Sequence, residues 1–383
     1  MTSFELHAPS RVTAGVGALD QIDSILAHAD LERILLVTDP GIVETGLETR
    51  LRKLLAAEER CVETVDTVPR EPSVSDVEAL LEEAEEFAPT FIVGMGGGSV
   101  LDTAKLMGVL IGGSQTLAEL VDGVPAGPRQ IDTLLIPTTA GTGSEATKNA
   151  ILSVPDRELK VAIVSPSLLP RFVILDGGLT VSLPAAITAT TGIDALAHAL
   201  ECFLSNKANE LSDLLALKST SLIHQNLKRA FDTPGDTAAR QSMLSASFLA
   251  GMCITLSGTT AVHALSYPLG ATFHVPHGQA NAMLLPAVMR FNAPACPEKS
   301  VALADAFDIA PGGSAEERSA GFTQALENLV DHLHIPRKLS AFGVSSEDIP
   351  RFVKVAHGIR RLMDNNPREM TPEDMATVYE GVL

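Results

Sequence analysis

Residues 90–99 read "TFIVGMGGGS", an apolar run that closes on three consecutive glycines. The next residues, "SVLDTAKLMGVLIGG" (99–113), have helical spacing. The pattern is a buried strand, a glycine turn and a helix. Glycines at such a turn let backbone N–H groups approach a phosphate, and a helix N-terminus favours negative charge. The usual dinucleotide fingerprint requires glycine where Ser99 stands and an acid about 20 residues later. Here the best acid for a ribose, Asp39, comes earlier. The turn is therefore a phosphate loop of another kind or a turn without a ligand.

The same form recurs on either side of it. "RILLVTD" (33–39), "DTLLIPTTAGTGS" (132–144) and "FVILDGG" (172–178) are apolar runs ending in turn residues, and "VSDVEALLEEAEEFA" (74–88) is amphipathic. Continuous apolar strands alternating with helices predict a mostly parallel sheet covered on both faces. After residues 182–190 the strand signals fade. Helical periodicity takes over at 191–206, 210–230, 237–270, 297–308 and 315–333. The expected division is an α/β domain at 1–183 and a helical domain at 184–383.

Composition narrows the function. A net charge of −19 without a Lys/Arg-rich run argues against a nucleic-acid partner. Four cysteines without a CxxC pair argue against a disulfide framework or a thiolate zinc site. No apolar run reaches about 18 residues, the length of a membrane span, and the N-terminus does not read as a signal peptide. A cytoplasmic protein without membrane partners is expected.

A second loop, "PTTAGTGSEAT" (137–147), offers the hydroxyls of Thr138, Thr139, Thr142 and Ser144 beside two glycines. Two such loops at strand ends suit a dinucleotide above a parallel sheet. In the helical part, "GIDALAHALE" (192–201) sets Asp194 and His198 on one helix face. His263, His274 and His277 follow in "HALSYPLG" (263–270) and "HVPHGQAN" (274–281). Imidazoles and a carboxylate suit iron(II), zinc, manganese or cobalt. Each residue also has a plainer role. His198 could be a core histidine, and Asp194 an acid near a helix start capped by Thr190 or Thr191.

Taken together, "GGGSVLDTAK" (96–105), "PTTAGTGSEAT", "DALAHALE" (194–201) and the histidine stretches resemble the iron-containing, or group III, alcohol dehydrogenases. The resemblance runs from the N-terminus to about residue 293. It implies a Rossmann-like N-terminal domain with a parallel sheet, an all-helical C-terminal domain and an active-site cleft between them. It also implies metal ligands at Asp194, His198, His263 and His277, with Fe2+ first and Zn2+ as the alternative. The cofactor would be NAD, its pyrophosphate against Gly97, Gly98 and Ser99, with Asp102, Thr138, Thr139, Thr142 and Lys160 completing the site. Asp39 matches the position that selects the cofactor, because a carboxylate there repels a 2′-phosphate. Glu71 would add a second negative charge at the adenosine end.

The implied activity is NAD(H)-linked oxidation of a small alcohol, or reduction of an aldehyde. Glycerol dehydrogenase, maleylacetate reductase and hydroxyacid–oxoacid transhydrogenase activities are alternatives on the same scaffold, and a silent nucleotide-binding module is another. A homodimer or larger homo-oligomer is implied by the resemblance. Three neutral imidazoles and one carboxylate would leave a divalent ion with a net +1 charge. Many relatives carry a histidine where this chain has Tyr267. A phenol ionises near pH 10, so Tyr267 is a weaker candidate for the proton path than that histidine.

Overall fold

The structure, a computed structural model, describes residues 3–27, 29–56, 60–154 and 159–383. They fall into two compact units, one His7–Leu183 and the other Pro184–Leu383 with residues 3–6.

The first unit is built on β1 (Arg11–Ala14), β2 (Arg33–Val37), β3 (Cys61–Val65), β4 (Phe91–Gly96), β5 (Asp132–Pro137) and β8 (Phe172–Leu175). They form one sheet in the order β1-β8-β5-β4-β2-β3, and every neighbouring pair is parallel. β6 (Asn149–Val154) and β7 (Leu159–Val164) form a separate antiparallel pair. In β2, Ile34 and Leu36 pack with Phe91, Val93, Leu134 and Ile136 on one face, beneath the helix Leu47–Leu55. Leu35 and Val37 pack on the other face with Ile92 and Leu135, beneath the helices Val74–Phe87 and Gly98–Leu110. Apolar residues on both faces are what a strand covered by helices on each side requires.

β1 and β3 escaped the sequence reading because they are short edge strands without a continuous buried apolar run, β1 mostly exposed and β3 exposed at alternate positions. From β2 the chain winds outward to β3, then crosses back to β4 on the other side. The direction of winding therefore reverses between β2 and β4, the position where open parallel sheets bind ligands at their C-terminal ends.

In the second unit, Ala185–Leu204, Glu210–Asp232 and Thr237–Ser257 pack against one another. Asn209 and Asp236 cap the second and third of these with side-chain hydrogen bonds. The first begins at Ala185, earlier than its periodicity suggested, so Asp194 lies in its interior. Thr190 and Thr191 are not caps there: both hydroxyls donate back to the Ile187 carbonyl.

The stretch expected as one helix over 237–270 is two. Gly258 takes φ 72°, the chain turns through 105°, and a new helix runs Ala261–Phe273. His277–Asn292 follows, then Pro297–Ala306, Ala315–His332, Ile349–Gly358 and Pro372–Gly381. Among the described residues, no single helix is long and apolar enough to cross a membrane.

Candidate metal centre and cofactor loops

Four ligand-type side chains converge in the helical unit from three helices. Asp194 and His198 sit one turn apart on Ala185–Leu204, His263 lies in the first turn of Ala261–Phe273, and His277 opens His277–Asn292. Asp194 Oδ1 is 3.6 Å from His277 Nε2, 3.7 Å from His263 Nε2 and 4.0 Å from His198 Nε2. Tetrahedral ligands held at about 2.1 Å from one ion lie about 3.4 Å apart. The tightest group is Asp194, His263 and His277, with ligand atoms all within 4.8 Å of one another. The His198 ring stacks on His263 at 4.5 Å between centroids.

Close approach of the helices makes this possible. A β-carbon at Gly278 would lie 2.3 Å from the Thr190 carbonyl oxygen, so only glycine lets the His277 helix come this near the Asp194 helix. Asp194, His198 and His263 are buried, whereas the His277 side chain keeps 31% of its exposure and marks the open side of the cluster.

The electrostatics fit a cation. Burial of Asp194 works against its charge, but His198, His277 and His263 outweigh that and hold its carboxyl below the usual carboxylate range. Burial likewise opposes a charged His263, yet Glu201 and Asp194 raise its pKa to about 10. The pocket thus favours positive charge at His263, and a bound metal would replace that proton.

Asn281 adds a further sign. Its Nδ2 donates to Asp194 Oδ1 at 2.7 Å and lies 3.2 Å from His277 Nε2 and 3.3 Å from His263 Nε2. Its Oδ1 is buried without a partner. Ligand-type atoms of three residues thus gather round one donor, as they would round a cation.

The cofactor-type residues collect in the other unit at the ends of β2, β4 and β5. Gly96 pairs with Pro137 across the two strands, so both loops leave the sheet at the same level. Thr138 N donates to the Gly96 carbonyl at 3.0 Å. The helix Gly98–Leu110 starts after Gly97 with no side-chain cap. Asp39 follows β2, and its Oδ1 caps the helix Pro40–Glu44 by accepting from Ile42 N at 3.1 Å. Its Oδ2 comes so close to Gly96 that a β-carbon there would lie 3.1 Å away.

Other expected residues have structural partners. The Ser99 hydroxyl donates to the Arg70 carbonyl. Thr142 Oγ1 accepts from Ser144 N at 3.2 Å, Thr138 is buried, and Thr139 and Thr142 are half-buried. Asp102 turns inward: Oδ1 meets the Ser144 hydroxyl and, at 2.8 Å, Lys105 Nζ, while Oδ2 accepts from Ile151 N at 2.9 Å. It braces the second loop against the first helix. Lys160 Nζ lies 3.2 Å from Glu71 Oε1. Glu71 thus has a cationic partner that the sequence reading did not foresee.

Family models described as iron-containing alcohol dehydrogenase match residues 9–177, and as the C-terminal part of that family residues 188–383. The chain belongs to the iron-containing alcohol dehydrogenase family. It is 36% identical over 392 residues to long-chain-alcohol dehydrogenase 1 of Geobacillus thermodenitrificans, covering 100% of this chain and 98% of that one. A solved 1,3-propanediol oxidoreductase superposes with TM-score 0.95 at 31% identity, with 100% of both chains covered. Sulfoacetaldehyde reductase from Bifidobacterium kashiwanohense, solved with NAD+, gives TM-score 0.91 at 28% identity, covering 100% of this chain and 99% of that one.

This iron-containing alcohol dehydrogenase family member carries a buried acid that sequence reasoning passed over. Glu201 sits at the end of "DALAHALE", seven residues after Asp194 and on the same helix face. That spacing was the available signal. Its Oε2 meets His263 Nδ1. Glu201 thus sets a second buried carboxylate beside the ligand residues that the resemblance implied. Asn281, one turn after His277, was missed in the same way.

Tyr267 lies one turn after His263, its ring 6.0 Å from that of His277. Arg361 Nη2 donates to its hydroxyl at 3.4 Å. His274 is exposed and ends its helix in the left-handed conformation, φ 52°.

Proposed function

We propose that the protein is a divalent-metal-dependent, NAD(H)-linked dehydrogenase of a small alcohol that also reduces the matching aldehyde. The observation that carries this is the convergence of Asp194, His198, His263 and His277 from three helices. When bound, the ion supplies Lewis acidity toward the substrate oxygen and the nicotinamide accepts or returns the hydride.

This chain's own residues do the rest. Asp194 and the three imidazoles hold the ion, and His277 is the ligand nearest solvent. The uncapped start of Gly98–Leu110, with Gly97, Gly98 and Ser99, holds the pyrophosphate through backbone N–H groups. Asp39 accepts from the ribose 2′-OH. Asp102 and Lys105 keep the Thr138–Thr142 loop in place. Tyr267 takes part in the proton path. Lys160 contacts the dinucleotide only if its pairing with Glu71 loosens.

The two-domain division at 183/184 is proposed from the change from strands to helices and the compactness of each unit. A reducing, cytoplasmic setting is supported by four cysteines without a CxxC pair. Homo-oligomerisation rests on the family resemblance.

NADH consumption measured against short aldehydes, glycerol-type ketones, maleylacetate and oxoacids tests the substrate class. Turnover concentrated on simple aldehydes is expected. A preference for maleylacetate, or for transfer between hydroxyacid and oxoacid, would move the protein to a neighbouring activity.

A further inference from the structure

We propose that Glu201 is a positioning residue of the metal centre, holding His263 in the tautomer that leaves Nε2 free to bind the ion. The proposal rests on the metal reading above.

Glu201 is wholly buried on the same helix as Asp194 and His198. Among the described residues, none of its hydrogen bonds is to a lysine or arginine. Its Oε1 instead accepts from Thr260 N at 3.1 Å, Thr260 Oγ1 at 2.8 Å, Val262 N at 2.7 Å and His263 N at 3.4 Å. These N–H groups open the helix Ala261–Phe273, and they are available because the chain breaks at Gly258 and starts a new helix. Thr260 caps nothing with its own side chain. The carboxylate reaches across from the neighbouring helix and supplies the missing cap.

The second oxygen sets the chemistry. Oε2 faces His263 Nδ1. An ionised carboxylate only accepts hydrogen bonds, so Nδ1 must carry the ring proton. Nε2 is then the nitrogen that gives up its proton to an incoming ion, and it is the atom that points toward Asp194 Oδ1, 3.7 Å away. One carboxylate thereby fixes both the position of the His263 helix and which ring nitrogen is free.

The substitution Glu201→Gln separates these two effects. A glutamine keeps a carbonyl oxygen for the Thr260 and Val262 donors, but offers an N–H to Nδ1. That favours the opposite tautomer and turns Nε2 into a donor aimed at the ion. Thr260→Val removes one cap hydrogen bond and leaves the tautomer alone.

Zinc affinity is measured by chelator competition on the full chain, alongside circular dichroism and NADH binding. Glu201→Gln is expected to fold, to bind NADH as the wild type does, and to lose about 10–100-fold in zinc affinity. Thr260→Val is expected to melt earlier with zinc affinity unchanged. Equal zinc affinity in wild type and Glu201→Gln would overturn the role of Glu201. A wild type that takes up no ion would overturn the metal reading itself.

Should Glu201→Gln fail to fold, nitrogen-15 spectra of histidine-labelled, zinc-loaded wild type decide the matter. A proton on His263 Nδ1 with zinc on Nε2 is expected, and the reverse contradicts the proposal.

Discussion

Asp194 Oδ1 and His263 Nε2 face each other at 3.7 Å from separate helices, too far for a hydrogen bond and close to the spacing of two atoms on one ion. Replacing His263 with alanine removes one ligand and leaves Asp194 buried with less to balance it. Metal content after purification should fall below stoichiometric, and kcat/KM for aldehyde reduction should drop by at least about 100-fold, beyond what losing an outer partner costs. Undiminished metal retention and turnover would take His263 out of the site.

Asp39 sets the second prediction. Its Oδ1 caps a short helix, and asparagine can do the same, so Asp39→Asn removes charge with little structural cost. Without that charge, a 2′-phosphate is no longer repelled. The ratio of kcat/KM with NADPH to that with NADH should rise at least about 10-fold, roughly 1.4 kcal/mol of discrimination. An unchanged ratio would place the ribose elsewhere.

Glu145 carries a pH dependence of stability. It is buried in the turn Ser144–Ala146, and one of its oxygens has no hydrogen-bond partner. Burial lifts its pKa from 4.5 to about 7, against the pull of a backbone hydrogen bond and Lys105. Below pH 4.5 the group is protonated in both folded and unfolded chains. Between 4.5 and about 7 only the unfolded chain ionises, so stability falls as pH rises and stays lowered above about 7. Glu145→Gln has no such proton. Melting temperatures recorded across this window should decline less in the variant, by about 2–4 °C for each kcal/mol recovered. Parallel curves would contradict the assignment.

Tyr267 sets the fourth prediction. Its ring neighbours His277 and its hydroxyl is held by Arg361. Tyr267→Phe should retain metal and lower kcat by about 10-fold, the modest end of acid–base contributions. An unaltered kcat across pH would leave proton transfer to water or the cofactor ribose.

Much of the first unit was legible because its central strands are apolar on both faces. The runs at Ile34–Val37, Phe91–Val93 and Leu134–Ile136 cannot easily belong to anything but a covered sheet. β3, with alternate positions exposed, has no such constraint. Spacing put Asp194 and His198 on one helix face but left both with plainer roles, and only the family resemblance made them ligands. The helix break at Gly258 was not, since Ala/Leu periodicity continues past it, and without that break the capping role of Glu201 has no meaning. Glu201, Asn281 and the Lys160–Glu71 pair depend on contacts between distant segments, which local patterns do not encode.

The most direct test of the metal-centred account is metal-dependent turnover by the wild-type chain. Protein purified without oxygen is stripped by a chelator, then titrated with Fe2+ or Zn2+ while NADH oxidation is followed with a short aldehyde. The account predicts an inactive stripped protein whose activity returns and saturates at one ion per chain. Full turnover by metal-free protein would contradict it.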